Sequence, residues 1–499
     1  MKYTGINIGP IVSTISIGRK PREIWAASYM FSFLMECIIK EIPKEVEIIS
    51  PAVLTENEYI GVGLYPDRVF VRGEFDAQPV VCKALDTFCS LTGVNRDYVK
   101  VMHVSIEGKE TEKDKESIKR LNQLLDCTEL VNRAVDADAR SSVLQLIQKK
   151  DESPLFARGH EKLRFSIPFL AEIATSSLEN DAWKNLCNKY RGKAGNKDGD
   201  EDTFYQELKS LLKKDYFSFY KYICIVQADG DNMGKIISSL SADKVKEVSQ
   251  SLLNYGKAAY LQIKEYGGLP IYAGGDDLLF IAPVKSKKDT IFGLIDKIDN
   301  LYRKQVDDSI EKFRPEDEKK NKLHTSLSYG LSISYYKYPL YEAFKDAIVQ
   351  LFDKSKNVDG KDAVAWCLRK HSGSGFVGSL SKNGTVYTLY KEIMTCSVEE
   401  KVISAIAHKL KNNENLLGVL LAGYRNTKSQ DALKNRLENF YQKAMEDTGN
   451  SRYVTLSRSL LGELMMQADS ETGIEQILEN LYGMLRTAKF INGEGDKDE

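Results

Sequence analysis

Two acidic strings in this chain carry residue types suited to phosphoryl chemistry. One, Tyr272-Ala273-Gly274-Gly275-Asp276-Asp277, runs directly into the apolar stretch Leu278-Leu279-Phe280-Ile281-Ala282. The other, Ala228-Asp229-Gly230-Asp231, follows the apolar stretch Tyr222-Ile223-Cys224-Ile225-Val226. Carboxylates at the tip of one strand and in the turn of a neighbouring hairpin can share a divalent cation. Such a pair suits nucleotidyl transfer, where a hydroxyl attacks an α-phosphate in line and charge builds on the leaving pyrophosphate. Mg²⁺ or Mn²⁺ would take oxygen ligands, a few carboxylates plus substrate phosphates and water. Asp229, Asp276 and Asp277 are therefore the candidate catalytic and metal-binding residues. Gly274 and Gly275 leave out side chains where a triphosphate must approach the backbone. Gly230 opens a stretch that leads by Gly234 into a helix start, whose free N–H groups suit phosphates. Asp231 fits either a second ligand or a helix cap.

Each string also has an ordinary reading. Gly-Gly-Asp between strands is a common hairpin turn, and Asp-Gly-Asp after a strand is a common turn or cap. Their joint placement decides for chemistry: both sit at strand ends of one predicted unit, on the same edge, with one helical segment between them.

The elements that must hold these residues read as βαββαβ. A strand over 222–228 leads to a helix from about Met233 and a longer helical pattern (Val245, Val248, Leu252, Ala259, Ile263) that stops at Gly267-Gly268. Strands over 269–273 and 278–284 flank the Gly-Gly-Asp-Asp turn. A helix over 291–302, a charged insert over 307–322, a strand over 326–335 and a helix over 341–355 follow, and Ala363-Val364-Ala365-Trp366 ends the unit. The first 110 residues show the same order. Strands are expected over 3–8, 46–52, 68–71 and 98–106, with helices over 22–42 and 79–91. The charge run over 108–120 reads as a solvated loop or helix face. Helical patterns then run to about Lys214, broken over 191–202 by a Gly/Lys/Asp-rich stretch that reads as a mobile loop. Residues 371–385, rich in Gly and Ser, read as a linker, and helical periodicity dominates from there to a polar tail over 492–499. The expected fold is α+β: a first ferredoxin-like palm over 1–110, a mainly helical insert over 111–215, a second palm over 216–372 and a helical C-terminal domain over 373–499.

A chain of 499 residues is too long for one core, and ~150 residues per domain predicts three or four. A formal net charge of −1 supplies no bulk basic field for nucleic acid, though a local basic groove remains open. The eight cysteines include no CxxC, and none of the five histidines precedes an Asp. These facts argue against disulfides and against a structural zinc site. No signal peptide or membrane-spanning run is evident, so a cytoplasmic, reduced protein is expected.

The strings ADGDNMG, YAGGDDLLFIAP, SYGLSISYYKYPLYEAFKDA and GKDAVAW, with IGPIVSTISIGRKPREIWAASYMFSFLM near the start, resemble the large palm-containing subunit of type III CRISPR effector complexes, most of all its Cmr-type branch. The resemblance is specific in the second palm and architectural over the last ~120 residues. It implies a nucleotidyltransferase that binds ATP as substrate with Mg²⁺ or Mn²⁺ and makes an adenylate second messenger in antiviral defence. That messenger is a cyclic oligoadenylate or AMP joined to S-adenosylmethionine. It implies the other subunits of the ribonucleoprotein complex, guide RNA and target RNA as partners, and no membrane. Carried across, Asp229, Asp276 and Asp277 match metal-binding acids, Gly274 and Gly275 match close-approach glycines, and Lys361 matches a phosphate-contacting lysine. A serine on the first helix of each palm is implied beside adenine, with Ser28 or Ser32 in the first palm and Ser238 or Ser239 in the second. Many relatives carry an HD nuclease domain and zinc-binding cysteines. The absence of both patterns here implies no DNase activity and a metal-free insert. Asp67, just before a first-palm strand, reads as a turn or as an acceptor-side contact.

Two other readings compete. A GGDEF-type cyclase would use GTP, although Leu278 stands where that family has Phe and no Arg-x-x-Asp precedes the motif. A non-catalytic scaffold for RNA and protein would leave the second palm a relict.

Overall fold

The computed structural model describes residues 1–55, 60–108, 114–130, 137–148, 167–191, 200–312, 324–446, 448 and 451–493. The expected mobile loop falls largely outside these residues, at 192–199. So do most of the charged insert, at 313–323, and the tail, at 494–499.

The first palm is a four-stranded antiparallel sheet of β1 (Lys2–Gly9), β2 (Glu47–Ser50), β3 (Arg68–Arg72) and β4 (Lys100–Glu107), in the order β2-β3-β1-β4. That is the ferredoxin-like order. The helix Pro21–Glu41 follows β1, and Ala77–Thr92 bridges β3 to β4. Pro21 opens the first of these helices, where its missing N–H costs nothing. Asp76 caps the second by accepting from the Gln78 N–H, and Gly93 ends it in the left-handed conformation.

The charge run holds more structure than a loop. Asp114–Glu129 is a helix packed on β1 and β4, with Leu121 and Leu125 buried against Gly5. Arg68 on β3 reaches it through Asn122 at 2.6 Å and Asp126 at 2.8 Å. The helix Ala137–Gln148 packs on Pro21–Glu41. Much of the described part of the insert before residue 150 thus clothes the first palm. Further on, Asp181–Arg191 and Asp200–Leu212 form a small core of their own around Phe204, Tyr190 and Tyr205.

The second palm is a six-stranded sheet: β5 (Tyr222–Gly230), β6 (Leu269–Gly274), β7 (Asp277–Pro283), β8 (Leu327–Tyr335), β9 (Ala363–Arg369) and β10 (Gly375–Ser381), ordered β10-β9-β8-β5-β7-β6. β5 to β8 repeat the ferredoxin-like order, and β9 adds on parallel to β8. The expected linker is partly β10, paired antiparallel with β9 from Gly375↔Arg369 to Ser381↔Ala363. The last helix, Ile474–Asn492, lies on it. Asn480 brackets Ser379 with two 2.8 Å hydrogen bonds, and the Trp366 indole N–H donates to Thr487 at 2.9 Å. The C-terminal helices are therefore packed onto the second palm's sheet through β10.

Alternation along β8 sorts the two faces of that sheet. Tyr329 points to the helix Ile291–Tyr302 and donates to Asp299 at 2.9 Å. Gly330 points the other way, where the helix Leu340–Val349 passes so close that a Cβ would stand 2.1 Å from the Ala347 carbonyl oxygen. Ser328 shares that second face, and Asp229 is its partner in register on β5.

Candidate active site

The β6–β7 turn is two residues long, closed by the pair Gly274↔Asp277. Gly275 takes φ +66°, a conformation open to Gly, and so permits the tight reversal. Asp276 is left at the tip, and Asp277 starts β7 facing the same way as Leu279. That is the face carrying Asp229, because Leu279 pairs with Gln227 across the β5–β7 ladder. A Cβ on Gly230 would lie 2.4 Å from Asp276 Oδ2. The bare α-carbon of Gly230 is the seat of the Asp276 carboxylate.

The three acids are close enough to feel one another. Burial, then Asp229, raises Asp276 to about 6. Burial, then Asp276 and Asp229, holds Asp277 well above the usual carboxylate range. Among the described residues no three His, Cys, Asp or Glu side chains are arranged to hold a metal by themselves. Crowded carboxylates still fit a hard divalent cation, which characteristically takes one or two of them and fills its shell with phosphate oxygens and water. Asp229, Asp276 and Asp277 are the residues that would hold it.

Lys356 completes the cluster. Its ammonium pairs with the Asp229 carboxylate, lies 2.8 Å from Asp231 Oδ1, and donates at 2.9 Å to the carbonyl oxygens of Asp229 and Gly230. Burial pulls this lysine down, but Asp229 and Asp231 outweigh it, and the net shift is upward. Sequence periodicity ran one helix from 341 to 355. Instead the helix Leu340–Val349 widens into a π turn at Gln350–Lys354 and tightens at Ser355–Asn357. This change of pitch re-aims the chain and turns Lys356 onto the acids.

Asp231 settles between its two readings on neither. It is fully buried and accepts from Ser326 at 2.6 Å, Ser328 at 2.8 Å and the Asp362 N–H at 3.0 Å, besides Lys356. Asn232, not Asp231, stands at the helix start, and no side chain caps that helix.

The remaining candidates make local contacts of their own. Gly274 lies against Tyr272, whose hydroxyl a Cβ would meet at 2.4 Å. Lys361 sits in the turn before β9 at φ +57°, and among the described residues its amine has no partner. Ser238 donates to the Lys235 carbonyl at 2.9 Å and Ser239 to that of Ile236 at 2.7 Å, both at the end of the helix Met233–Ile237. Ser32 accepts from the Tyr65 N–H at 3.1 Å. Ser28 is buried, and among the described residues its hydroxyl has no partner.

The first palm meets the second at the acidic hairpin. Gly63 bridges Tyr272 in parallel, and its carbonyl accepts from the Ala273 N–H at 2.9 Å. In the same seam the Ser249 hydroxyl oxygen accepts from the Ala52 N–H at 2.8 Å. Asp67, four residues after Gly63, is raised by burial, and its charge is felt by both Asp276 and Asp277. Lys356 lies beyond sequence reasoning. The string Lys354-Ser355-Lys356 gives no sign of which lysine turns inward.

Comparison with known proteins agrees with this architecture. A family model described as "Cas10/Cmr2, second palm domain" matches residues 222–365, and one described as "CRISPR-associated protein Cmr2, N-terminal" matches residues 3–79. The CRISPR system Cmr subunit Cmr2 of Pyrococcus furiosus is 32% identical over 232 residues, covering 41% of this chain and 24% of that protein. The chain thus spans about a quarter of the length of the curated relative it matches. Among solved structures, the apo state of a type III-B Cmr-beta complex aligns at TM-score 0.57 and 12% identity, over 88% of this chain and 77% of the other. A Csm1-Csm4 cassette in complex with one ATP aligns at TM-score 0.50 and 12% identity, over 98% and 70%. At such identities the structural likeness speaks for the fold. Among the described residues no helix is long and apolar enough to cross a membrane.

Proposed function

With palms that are those of the Cas10/Cmr2 large-subunit family, of Cmr type, we propose that this chain is the nucleotidyltransferase subunit of a type III CRISPR ribonucleoprotein complex. It joins ATP into an adenylate second messenger when the complex holds target RNA. The observation that carries this reading is the convergence of Asp229, Asp276, Asp277 and Lys356 at one end of the sheet, against the first palm. Guide RNA, target RNA and the other subunits are the partners it requires.

In the reaction a 3′-hydroxyl oxygen bonds to the α-phosphorus of ATP and the bond from that phosphorus to the β-phosphate oxygen breaks, releasing pyrophosphate. Bound Mg²⁺ or Mn²⁺ would supply charge neutralisation at the phosphates and a more acidic hydroxyl. Asp229, Asp276 and Asp277 would provide its oxygen ligands. With the three acids committed to the cation, the hydroxyl proton leaves to bulk water. Lys356 pairs directly with Asp229. Gly230 keeps Asp276 in place by leaving it room, and Lys361 is free to meet a phosphate. The serines of the two palms, Ser28 first among them, are the candidate adenine contacts.

The test is the reconstituted complex with target RNA, ATP and Mg²⁺ or Mn²⁺, its products read by mass spectrometry with and without S-adenosylmethionine. Cyclic oligoadenylate, or an AMP conjugate that needs S-adenosylmethionine, is expected, and either should vanish in Asp276→Ala/Asp277→Ala. Turnover unchanged in that double variant would refute the assignment. Product from GTP and none from ATP would reassign the substrate.

A further inference from the structure

The turn before β9 is held in an unfavourable backbone conformation. Gly360, Lys361 and Asp362 follow one another at φ +77°, +57° and +45°. Two successive non-glycine residues in the left-handed region persist only where the surroundings fix them. Two groups do so. Asp231 accepts from the Asp362 N–H at 3.0 Å. Lys382, in the turn between β10 and the helix Thr385–Met394, grips the same residue twice. Its own N–H donates to the Asp362 carbonyl at 2.8 Å, and its ammonium lies 2.9 Å from Asp362 Oδ1.

Lys382 is itself firmly placed. Its side chain is 4% exposed, 2.6 Å from Asp299 Oδ2 and 4.7 Å above the Tyr329 ring. Asp299 also accepts from the Tyr329 hydroxyl. A buried ammonium so fixed is a rigid post rather than a solvated charge. What the arrangement leaves unheld is Lys361, the residue between the two pinned neighbours, with its amine unpartnered among the described residues.

We infer that Lys382 is a positioning residue for nucleotide binding: it pins Asp362 and so presents the Lys361 amine to the phosphates at the acid site. The inference rests on the proposed nucleotide site, because Lys361 has work to do only if a phosphate arrives there. It also assigns a part in that site to a residue beyond the matched second-palm region.

The test uses the full-length chain with two readouts. Amide hydrogen exchange over residues 358–364 reports the turn directly, with residues 223–228 of β5 as internal reference. Calorimetric titration with a β,γ-imido analogue of ATP and Mg²⁺ reports binding. Lys382→Met is expected to speed exchange in the turn by ~10-fold or more while β5 stays protected, and to weaken the analogue by ~10-fold, as loss of one charge-assisted contact does. In a Lys361→Ala background it should weaken binding no further, since a residue acting through Lys361 has nothing left to lose. Unchanged exchange in the turn, or an equal loss in both backgrounds, overturns the inference. Should Lys382→Met loosen β5 as well, Asp362→Asn carries the same readouts, for it weakens the pair with Lys382 and leaves Lys382–Asp299 intact. A wild-type chain that does not bind the analogue counts against the nucleotide site, and the exchange measurement then decides the role of Lys382 alone.

Discussion

Asp276 rests its carboxylate on the bare α-carbon of Gly230, so close that a Cβ there would stand 2.4 Å from Oδ2. One acid of the cluster is therefore placed by a missing side chain on another strand. Gly230 lies outside the left-handed region, so alanine fits its backbone and the methyl group alone does the damage. Gly230→Ala is expected to displace Asp276 and cut nucleotide turnover by about 100-fold, the cost of a misplacement near 1 Å. The melting temperature should move little. Turnover within twofold of wild type would show that Asp276 does not need this seat.

The pH dependence of stability gives a second check. Asp276 is lifted from 3.8 to about 6 in the folded chain by burial and Asp229. Between those values the folded state keeps a proton that the unfolded state has released, so stability falls as pH rises through this window. Above about 6 the penalty is complete. Asp276→Asn removes it without changing the shape. The variant should match wild type near pH 4 and melt higher above pH 6, in metal-free buffer. A variant equally stable to wild type across that range would show that Asp276 is not held at such cost.

Ser28 and Ser32 are one turn apart on the same helix and differ in one respect. Ser32 accepts from the Tyr65 N–H, whereas the buried Ser28 hydroxyl has no partner among the described residues. Removing an unsatisfied buried hydroxyl should not destabilise the fold, and it relieves a desolvation cost of about 1 kcal/mol. Ser28→Ala should therefore melt at or above the wild-type temperature while the KM for ATP rises. A higher melting temperature with no change in KM would assign Ser28 to packing.

The junction of the C-terminal helices with the second palm also turns on a glycine. A Cβ on Gly483 would lie 1.7 Å from the carbonyl oxygen of Val377 on β10, and a backbone atom paired in a ladder cannot step aside. Gly483→Ala is expected to cost about 1–3 kcal/mol by overpacking. Limited proteolysis should then release the C-terminal helices earlier than in wild type. Unaltered melting and proteolysis would mean that the helix can shift along β10.

What could be read along the chain follows from where the information lies. The acids of the second palm announced themselves because a Gly-Gly-Asp-Asp turn and an Asp-Gly-Asp strand end are local patterns, and each element around them spans a few consecutive residues. Both βαββαβ orders were legible for the same reason. The stretch over 371–385 was not, since its Gly and Ser content lacks strand propensity. Its strand exists because β9 offers an open edge and Asn480, a hundred residues on, ties down Ser379.

The sequence by itself determined the two-palm architecture and marked the candidate acids at the strand ends of the second palm. The tertiary structure alone decided which lysine meets them, that Asp231 is a buried hub, and that Ser28 and Ser32 differ. It also decided that the turn carrying Lys361 is held from the C-terminal side. The physical reason is common to all of these. Propensity and periodicity act between neighbours in the chain, whereas the direction of a side chain is fixed by a change of helix pitch or by a partner distant in the chain. Lys356 shows it most directly: nothing in its own string marks it, and one π turn brings it onto Asp229.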